Sequence, residues 1–213
     1  MNSKKEDIES ALLDVRKAYR LLHDYQRMAL DAVNFIGKQF GLIYEGGYPR
    51  FSEASPRAGK GKLEKRAWDW LNMMFYEFHF YRVFGNEWVG FSILLISDTG
   101  YCCVEDDQGD PTNTSSFQPS ERAATKVGFV MTANDWPEGD LWSEKFLNNK
   151  AAMKTFLENN GELPENVRAT GMIGKCCDFS RLVNEDETLK LIEELVVEAN
   201  RAGIKLKRIT MQE

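Results

Sequence analysis

Histidine is scarce in this sequence, and long apolar runs are missing from it. His23 and His79 are the only two histidines in 213 residues, which leaves few options for a catalytic triad or a histidine-rich metal site. No apolar stretch approaches the roughly 20 residues that a membrane-spanning helix needs. The N-terminus also lacks the apolar central region of a secretory signal. We therefore expect a cytoplasmic protein that has no membrane span.

Cysteine is also rare, and its four copies form two adjacent pairs, Cys102-Cys103 and Cys176-Cys177. Neighbouring side chains of a strand point to opposite faces, so one pair cannot easily chelate a metal through both sulfurs. A zinc site would need one cysteine from each pair and a histidine, at a spacing that zinc sites do not normally use. We expect reduced thiols that pack as small apolar side chains, with no metal and no cofactor.

The overall composition is that of an ordinary folded protein. Hydrophobic residues make up 43% of the chain and charged residues 28%, with a net charge of -6. This acidity argues against a surface that binds nucleic acid as a whole, although a local basic patch is compatible with it. The length suits one domain, and we treat residues 1–213 as a single domain.

A heptad-spaced apolar stripe runs through the first forty residues. Its spacing predicts one long helix over about residues 4–40, with a capping box at Ser3 and Glu6 and a glycine cap at Gly41. The helix would be about 55 Å long, which points to a core-spanning element or an oligomer interface. The stripe consists of Ile8, Leu12, Val15, Tyr19, Leu22, Ala29, Val33, Ile36 and Phe40, with Gln26 at its one polar position.

The rest of the chain alternates between strand-like and helical patterns. We predict an α+β fold in which the long N-terminal helix and further helices pack on a mostly antiparallel sheet of about five or six strands. The predicted strands are 76–84, 88–97, 101–105, 126–132, 167–173 and 204–209. The predicted helices are 63–74, 141–157 and a segment that Asn184 opens and Gly203 ends.

A glycine- and proline-rich segment, residues 41–62, is predicted to be a loop. Basic residues gather in and after it, and aromatic residues follow. Glycines among the basic residues would let backbone amides approach a phosphate, although the spacing is not that of a P-loop. The candidate residues for binding a phosphate-bearing ligand or nucleic acid are Arg50, Arg57, Lys60, Lys62, Arg66 and Trp70.

Two further patterns raise the hypothesis of a phosphodiester-cleaving enzyme. Arg16 and His23 have the spacing of the Arg and His in HEPN-type ribonucleases, but that family is helical and this chain is rich in strands. Asp98 and Glu105 with Lys126 form the other candidate set. We expect a solvated basic face in the first case and solvated loop charges in the second.

The leading hypothesis is therefore a non-enzymatic protein. It would act through a protein partner or through self-association as a homo-oligomer, using the N-terminal helix. Binding of a phosphate-bearing ligand or nucleic acid is the first alternative, and phosphodiester cleavage is the second.

Overall fold

A computed structural model describes residues 2–51, 74–103, 114–137, 139–168 and 171–209. In chain order its elements are helix α1 (Asn2–Gln39), strands β1 (Ile43–Pro49), β2 (Phe75–Phe84) and β3 (Glu87–Ile96), a short 3-10 helix (Thr99–Cys103), strand β4 (Lys126–Ala133), helix α2 (Gly139–Trp142), a π-helical turn (Ser143–Leu147), helix α3 (Lys150–Glu158), strand β5 (Ile173–Asp178) and helix α4 (Glu185–Arg201). Short 3-10 turns occupy Thr114–Ser116 and Phe179–Leu182.

The five strands of the described residues form one sheet in the order β1-β2-β3-β4-β5, and every neighbouring pair is antiparallel. Because each strand pairs with the next one in the sequence, the sheet is a meander with β1 and β5 at its edges. The predicted α+β fold, with a long N-terminal helix on an antiparallel sheet, is confirmed.

Helices cover both faces of the sheet. The second half of α1 and helix α4 pack on one face, which we call the α1 face, against side chains that include Phe80, Phe91 and Phe129. Helix α2, the π-helical turn and α3 cover part of the other face, the α3 face, where Leu94 and Val130 are buried. The pleat of β2 sends Phe78 and Phe80 to the α1 face and its odd-numbered residues to the α3 face.

Helix α1 ends as its sequence predicts. Gly41 has a positive φ of 60°, and its N–H donates to the carbonyl of Lys38 at 3.0 Å, while the N–H of Leu42 donates to Gly37 at 2.9 Å. These bonds satisfy the last carbonyls of the helix. The helix already includes Asn2, so the predicted N-cap at Ser3 is wrong. No helix among the described residues combines the length and apolar character that would span a membrane.

The prediction of a loop over 41–62 is wrong for its first part, because residues 43–49 form the edge strand β1. Gly46-Gly47 and Pro49 suggested a loop, but an edge strand tolerates them. The pairing of β1 with β2 shifts register between Tyr44 and Gly46, and an edge strand can carry such a bulge and a proline without breaking a central ladder.

The predicted strand 101–105 is wrong for residues 101–103, and residues 104–105 lie outside the described residues. Asp98 Oδ1 accepts a hydrogen bond from the N–H of Gly100 at 2.7 Å, and the chain continues as the 3-10 helix Thr99–Cys103. This side chain to backbone bond starts a tight local turn where the sequence suggested a hairpin. The turn buries Tyr101 and Cys102 under the α3 face.

Two other predicted strands do not form. Val167 lies in a turn closed by its hydrogen bond to the carbonyl of Pro164 at 3.0 Å, and the strand begins only at Ile173. Residues 204–209 join no ladder, and the N–H of Leu206 donates to the carbonyl of Ile204 at 2.8 Å. Apolar residues alternate with basic ones in this segment because Ile204 and Leu206 are buried. The N–H of Ile209 donates to the carbonyl of Gln39 at 2.8 Å.

The predicted helix 141–157 is divided into α2, the π-helical turn and α3. Asn149 causes the break, because its side chain caps α3 by accepting from the N–H of Ala152 at 3.0 Å. The other predicted cap is confirmed: Asn184 accepts from the N–H of Glu187 at 2.9 Å and α4 follows it. The predicted helix 63–74 lies outside the described residues, apart from Met74.

Candidate functional site

The apolar stripe of α1 is buried over its second half and exposed over its first half. Ala29, Val33, Ile36 and Phe40 lie in the core of the α1 face. The overhanging segment, residues 8–22, extends beyond that core for about 22 Å. Its stripe residues Ile8, Leu12, Val15, Tyr19 and Leu22 are between 47% and 59% exposed.

Tyr25 marks the point where α1 leaves the sheet. Its hydroxyl lies 2.9 Å from Ser97 Oγ, and its ring meets Phe179 edge-on at 5.8 Å. Burial raises the pKa of Tyr25, and the hydrogen bond with Ser97 offsets part of that rise. A cavity of about 640 Å³ opens beside this point, with Leu22 and Met74 in its lining. The stripe therefore passes from buried at Ala29 to exposed at Leu22 within about two helical turns.

The basic residues of α1 lie on an exposed face. His23 Nδ1 is 3.3 Å from Asp24 Oδ1, and Arg27 Nε is 3.9 Å from Asp31 Oδ2. Arg16 and Arg20 are also exposed. Ion pairs this exposed contribute little to stability. The hypothesis of phosphodiester cleavage by Arg16 and His23 stays a prediction.

In the second set of residues for that hypothesis, Asp98 and Lys126 each have another partner in the described structure. Lys126 Nζ lies 2.8 Å from Asp178 Oδ1. Asp98 is engaged with the backbone of Gly100. Glu105 lies outside the described residues.

Arg50 is the one candidate of the predicted basic site that the structure describes. Arg57, Lys60, Lys62, Arg66 and Trp70 lie outside the described residues. Arg50 follows β1, and its guanidinium points to the α3 face, where Nε donates to Glu77 Oε2 at 2.6 Å and Nη2 contacts the same oxygen. The guanidinium of Arg50 is thus already paired with a carboxylate.

Glu77 is the centre of a buried polar cluster on the α3 face. Its side chain is 0% exposed. While Oε2 binds Arg50, Oε1 accepts hydrogen bonds from His79 Nε2 at 2.8 Å, Trp142 Nε1 at 2.6 Å and Ser92 Oγ at 3.3 Å. Both carboxylate oxygens are therefore saturated by donors from β2, β3, α2 and the residue after β1. We call these five residues the Glu77 cluster.

The Glu77 cluster keeps its carboxylate ionised. Burial alone would raise the pKa of Glu77, but the hydrogen bond and charge of His79, the charge of Arg50 and the Trp142 N–H together outweigh it. The pKa of Glu77 consequently lies below its ordinary value. A fixed, ionised carboxylate also holds the imidazole of His79 in one orientation, with Nε2 as the donor.

An aromatic cavity of about 350 Å³ lies next to the Glu77 cluster, where α2 and α3 leave the α3 face uncovered. His79 joins the two, because it binds Glu77 and also lines this cavity. The described lining residues are Glu45, Tyr48, His79, Phe80, Trp88, Gly90 and Trp136.

The loop after β4 brings Trp136 over the sheet. Asn134 has a positive φ of 61°, and its side chain accepts from the N–H of Trp88 at 2.7 Å. The hydroxyl of Thr132 donates to the carbonyl of Asp135 at 2.5 Å. These bonds reverse the chain, and Trp136 then packs against Trp142 at 4.8 Å and His79 at 5.6 Å, both edge-on.

Glu77, His79 and Trp136 are absent from the candidates that the sequence analysis selected. Glu77 and His79 alternate with aromatic residues along β2, which indicated only that the segment is a strand. The usable signal was the placement of a carboxylate and an imidazole two residues apart, on the same face of a strand rich in aromatic residues. The contact with Trp142 joins residues 65 positions apart, and no local pattern encodes it.

The cysteines of β5 are confirmed to point to opposite faces of the sheet. Cys176 is buried on the α3 face and Cys177 packs against the α1 face. Burial raises the pKa of Cys176 to about 12 and that of Cys177 to about 11. Within the described part of the chain, no three His, Cys, Asp or Glu side chains come together as a metal site would require.

Comparisons with known proteins give a family and no activity. No curated protein matches the chain. No solved structure matches it. One family model, described as PM0109, matches residues 5–205, which takes in the overhanging segment, the sheet, the Glu77 cluster and α4. The chain belongs to the PM0109 family.

Proposed function

We propose that this protein is not an enzyme and that it acts by self-association, in which the overhanging segment of α1 pairs with that of a second copy. The observation that carries this proposal is the exposure of one half of a single apolar stripe whose other half is core. Residues 8–22 keep the heptad spacing of residues 29–40 without any covering element among the described residues.

The exposed apolar side chains of the overhanging segment are numerous enough to indicate a surface that another helix covers. A single exposed leucine is unremarkable, but five stripe residues along about four turns form a continuous apolar surface. An isolated helix that overhangs its domain is also marginally stable, because most helical stability in proteins comes from packing of the apolar face. A second helix would bury that face and hold the segment helical.

A second copy is the partner that the stripe fits best. A two-stranded helical pair buries a seam with 4-3 spacing on both helices, and the same chain supplies such a seam. Ala11 and Ala18 flank it and would let the helices approach closely. In an antiparallel pair Leu12 of one copy approaches Leu22 of the other, and the two sheets lie at opposite ends of the pair.

We also propose that this pairing takes place in the cytoplasm. Cys176 and Cys177 are free thiols, and their raised pKa values favour the protonated form. Reduced thiols are the usual state in the cytoplasm.

Neighbouring residues of α1 provide a matched test. Leu12 and Leu13 are 49% and 45% exposed, but Leu12 belongs to the stripe and Leu13 points away from it. Leu12→Glu and Leu13→Glu remove the same side chain and add the same charge. We expect sedimentation equilibrium to give twice the subunit mass of 24.4 kDa for the wild type and Leu13→Glu, and a monomer for Leu12→Glu.

A wild-type monomer at protein concentrations of about 50 μM, where interfaces of ordinary affinity are saturated, would contradict the proposal. Equal dissociation of Leu12→Glu and Leu13→Glu would also contradict the proposal. The loss of any exposed leucine would then have the same effect, whether or not it belongs to the stripe. Circular dichroism of each variant checks that the fold is retained.

A further inference from the structure

The aromatic cavity beside the Glu77 cluster has the walls of a cation-binding site. Three aromatic side chains, Tyr48, Trp88 and Trp136, line it. The imidazole of His79 contacts two of them edge-on, with its centroid 5.7 Å from that of Tyr48 and 5.6 Å from that of Trp136. The volume of about 350 Å³ is in the range of small-molecule sites.

Gly90 shows how tightly the two tryptophans close over the sheet. A Cβ atom at this position would lie 2.5 Å from Cη2 of Trp88 and 2.9 Å from Cε3 of Trp136. Both indoles therefore lean directly over the backbone of β3. A side chain at residue 90 would collide with both rings, so the glycine lets the two tryptophans take these positions in the cavity wall.

The charges around the cavity are balanced. Its described lining includes the exposed carboxylate of Glu45 and the imidazole of His79, and neither lysine nor arginine. Arg50 lies nearby, with its guanidinium 5.7 Å from the centroid of the Tyr48 ring. Arg50 and His79 both pair with the buried carboxylate of Glu77, and Glu45 adds a second carboxylate at the rim, so the cavity is not basic.

We propose that this cavity binds a small quaternary ammonium compound of the size of choline. Aromatic rings attract a cation through the negative potential of their faces, and a trimethylammonium group suits such a cage because it is weakly hydrated and has no N–H to satisfy. Tyr48, Trp88 and Trp136 would surround the ammonium group. Glu45 would add a longer-range attraction at the rim.

The test compares choline with its uncharged tert-butyl analogue, in which carbon replaces the ammonium nitrogen. The two probes have the same shape, so their difference in affinity isolates the charge. We expect choline to change the tryptophan fluorescence saturably and to bind at least about tenfold more tightly than the analogue in calorimetry. Absence of saturable choline binding at up to about 10 mM, or equal binding of the analogue, would overturn the proposal.

Variants assign the binding to this cavity. Trp136→Leu and Trp88→Leu should each weaken choline binding by about tenfold. Tyr44→Leu is the matched control, because Tyr44 is an exposed aromatic residue of the same strand as Tyr48 that packs on Phe80 and does not line the cavity. Unchanged affinity in both tryptophan variants would overturn the assignment.

Glu45→Gln covers the case in which a tryptophan variant does not fold. Glu45 lies on the exposed bulge of the edge strand, so its substitution should leave the structure intact. We expect a loss of choline affinity of about threefold that disappears at high salt, with binding of the tert-butyl analogue unchanged. An affinity for choline that is identical to the wild type at low salt would count against the proposal.

Discussion

Nε–H of Arg50 donates a hydrogen bond to Oε2 of Glu77, with 2.6 Å between the nitrogen and the oxygen, and the side chain of Glu77 has no solvent exposure. This bond connects the residue after the edge strand β1 to the first part of β2. It also explains why a charged residue occurs among the aromatic side chains of the α3 face, since Glu77 supplies the acceptor for donors from four parts of the chain.

Replacing Arg50, the donor of this bond, should destabilise the fold strongly. Arg50→Met removes the one permanent cation that contacts this buried carboxylate among the described residues, and the expected loss in the free energy of unfolding is about 3–5 kcal/mol. Urea unfolding measures it. The control is Lys205→Met, which breaks an exposed ion pair with Glu87 of similar length and should cost less than about 1 kcal/mol. Equal effects of the two variants would contradict the role given to Arg50.

The lowered pKa of Glu77 predicts a dependence of stability on pH. Its carboxyl titrates below the ordinary value of 4.5 in the folded protein, so the unfolded chain binds a proton at a pH where the folded protein does not. The stabilisation is complete above that ordinary value and is lost as the pH falls through the folded pKa. Unfolding free energies from about pH 7 to about pH 3 should fall less steeply in Glu77→Gln than in the wild type. Parallel curves would show that Glu77 does not carry this dependence.

Gly90→Ala should displace the indoles of the aromatic cavity. The new methyl group would meet both tryptophan rings at less than contact distance, so the rings must move. We expect a changed near-ultraviolet circular dichroism spectrum and reduced choline binding. Gly139→Ala is the control, because a Cβ atom there has no neighbour within 4 Å. A Gly90→Ala spectrum that superimposes on the wild type would contradict the described positions of the rings.

The thiols of β5 should react slowly in the folded protein. Burial raises the pKa of Cys176 to about 12 and that of Cys177 to about 11, so the reactive thiolate is scarce near neutral pH. Peptide-level mass spectrometry after iodoacetamide treatment should find both unmodified until the protein is unfolded. Labelling of Cys176 in the folded protein at the rate of a small-molecule thiol would contradict the buried position of its side chain.

Local patterns predicted the parts of the fold that depend on neighbouring residues. The spacing of the α1 stripe, the glycine cap at Gly41 and the side-chain cap at Asn184 were confirmed because each is a short-range interaction. Strand β1 was missed because Gly46-Gly47 and Pro49 resemble a loop. Only pairing with β2, which lies about thirty residues further along the chain, makes that segment a strand.

The same distinction applies to the candidate sites. Arg50 was selected from the sequence as a ligand-binding residue, but its observed partner is Glu77. Glu77 and His79 were not selected because their alternation with aromatic residues indicates a strand but not which of its side chains bind each other. Their burial depends on Trp142 and Trp136, which come from after β4, and such long-range covering cannot be deduced from the period of β2.

The most direct test of self-association is hydrogen exchange of α1 as a function of protein concentration. Exchange read by mass spectrometry at concentrations above and below the dissociation point separates the two halves of the helix. If a second copy covers the overhanging segment, amides of residues 8–22 are protected at high concentration and exchange faster on dilution, while those of residues 29–40 do not change. Exchange of residues 8–22 at the same rate at every concentration would contradict the account.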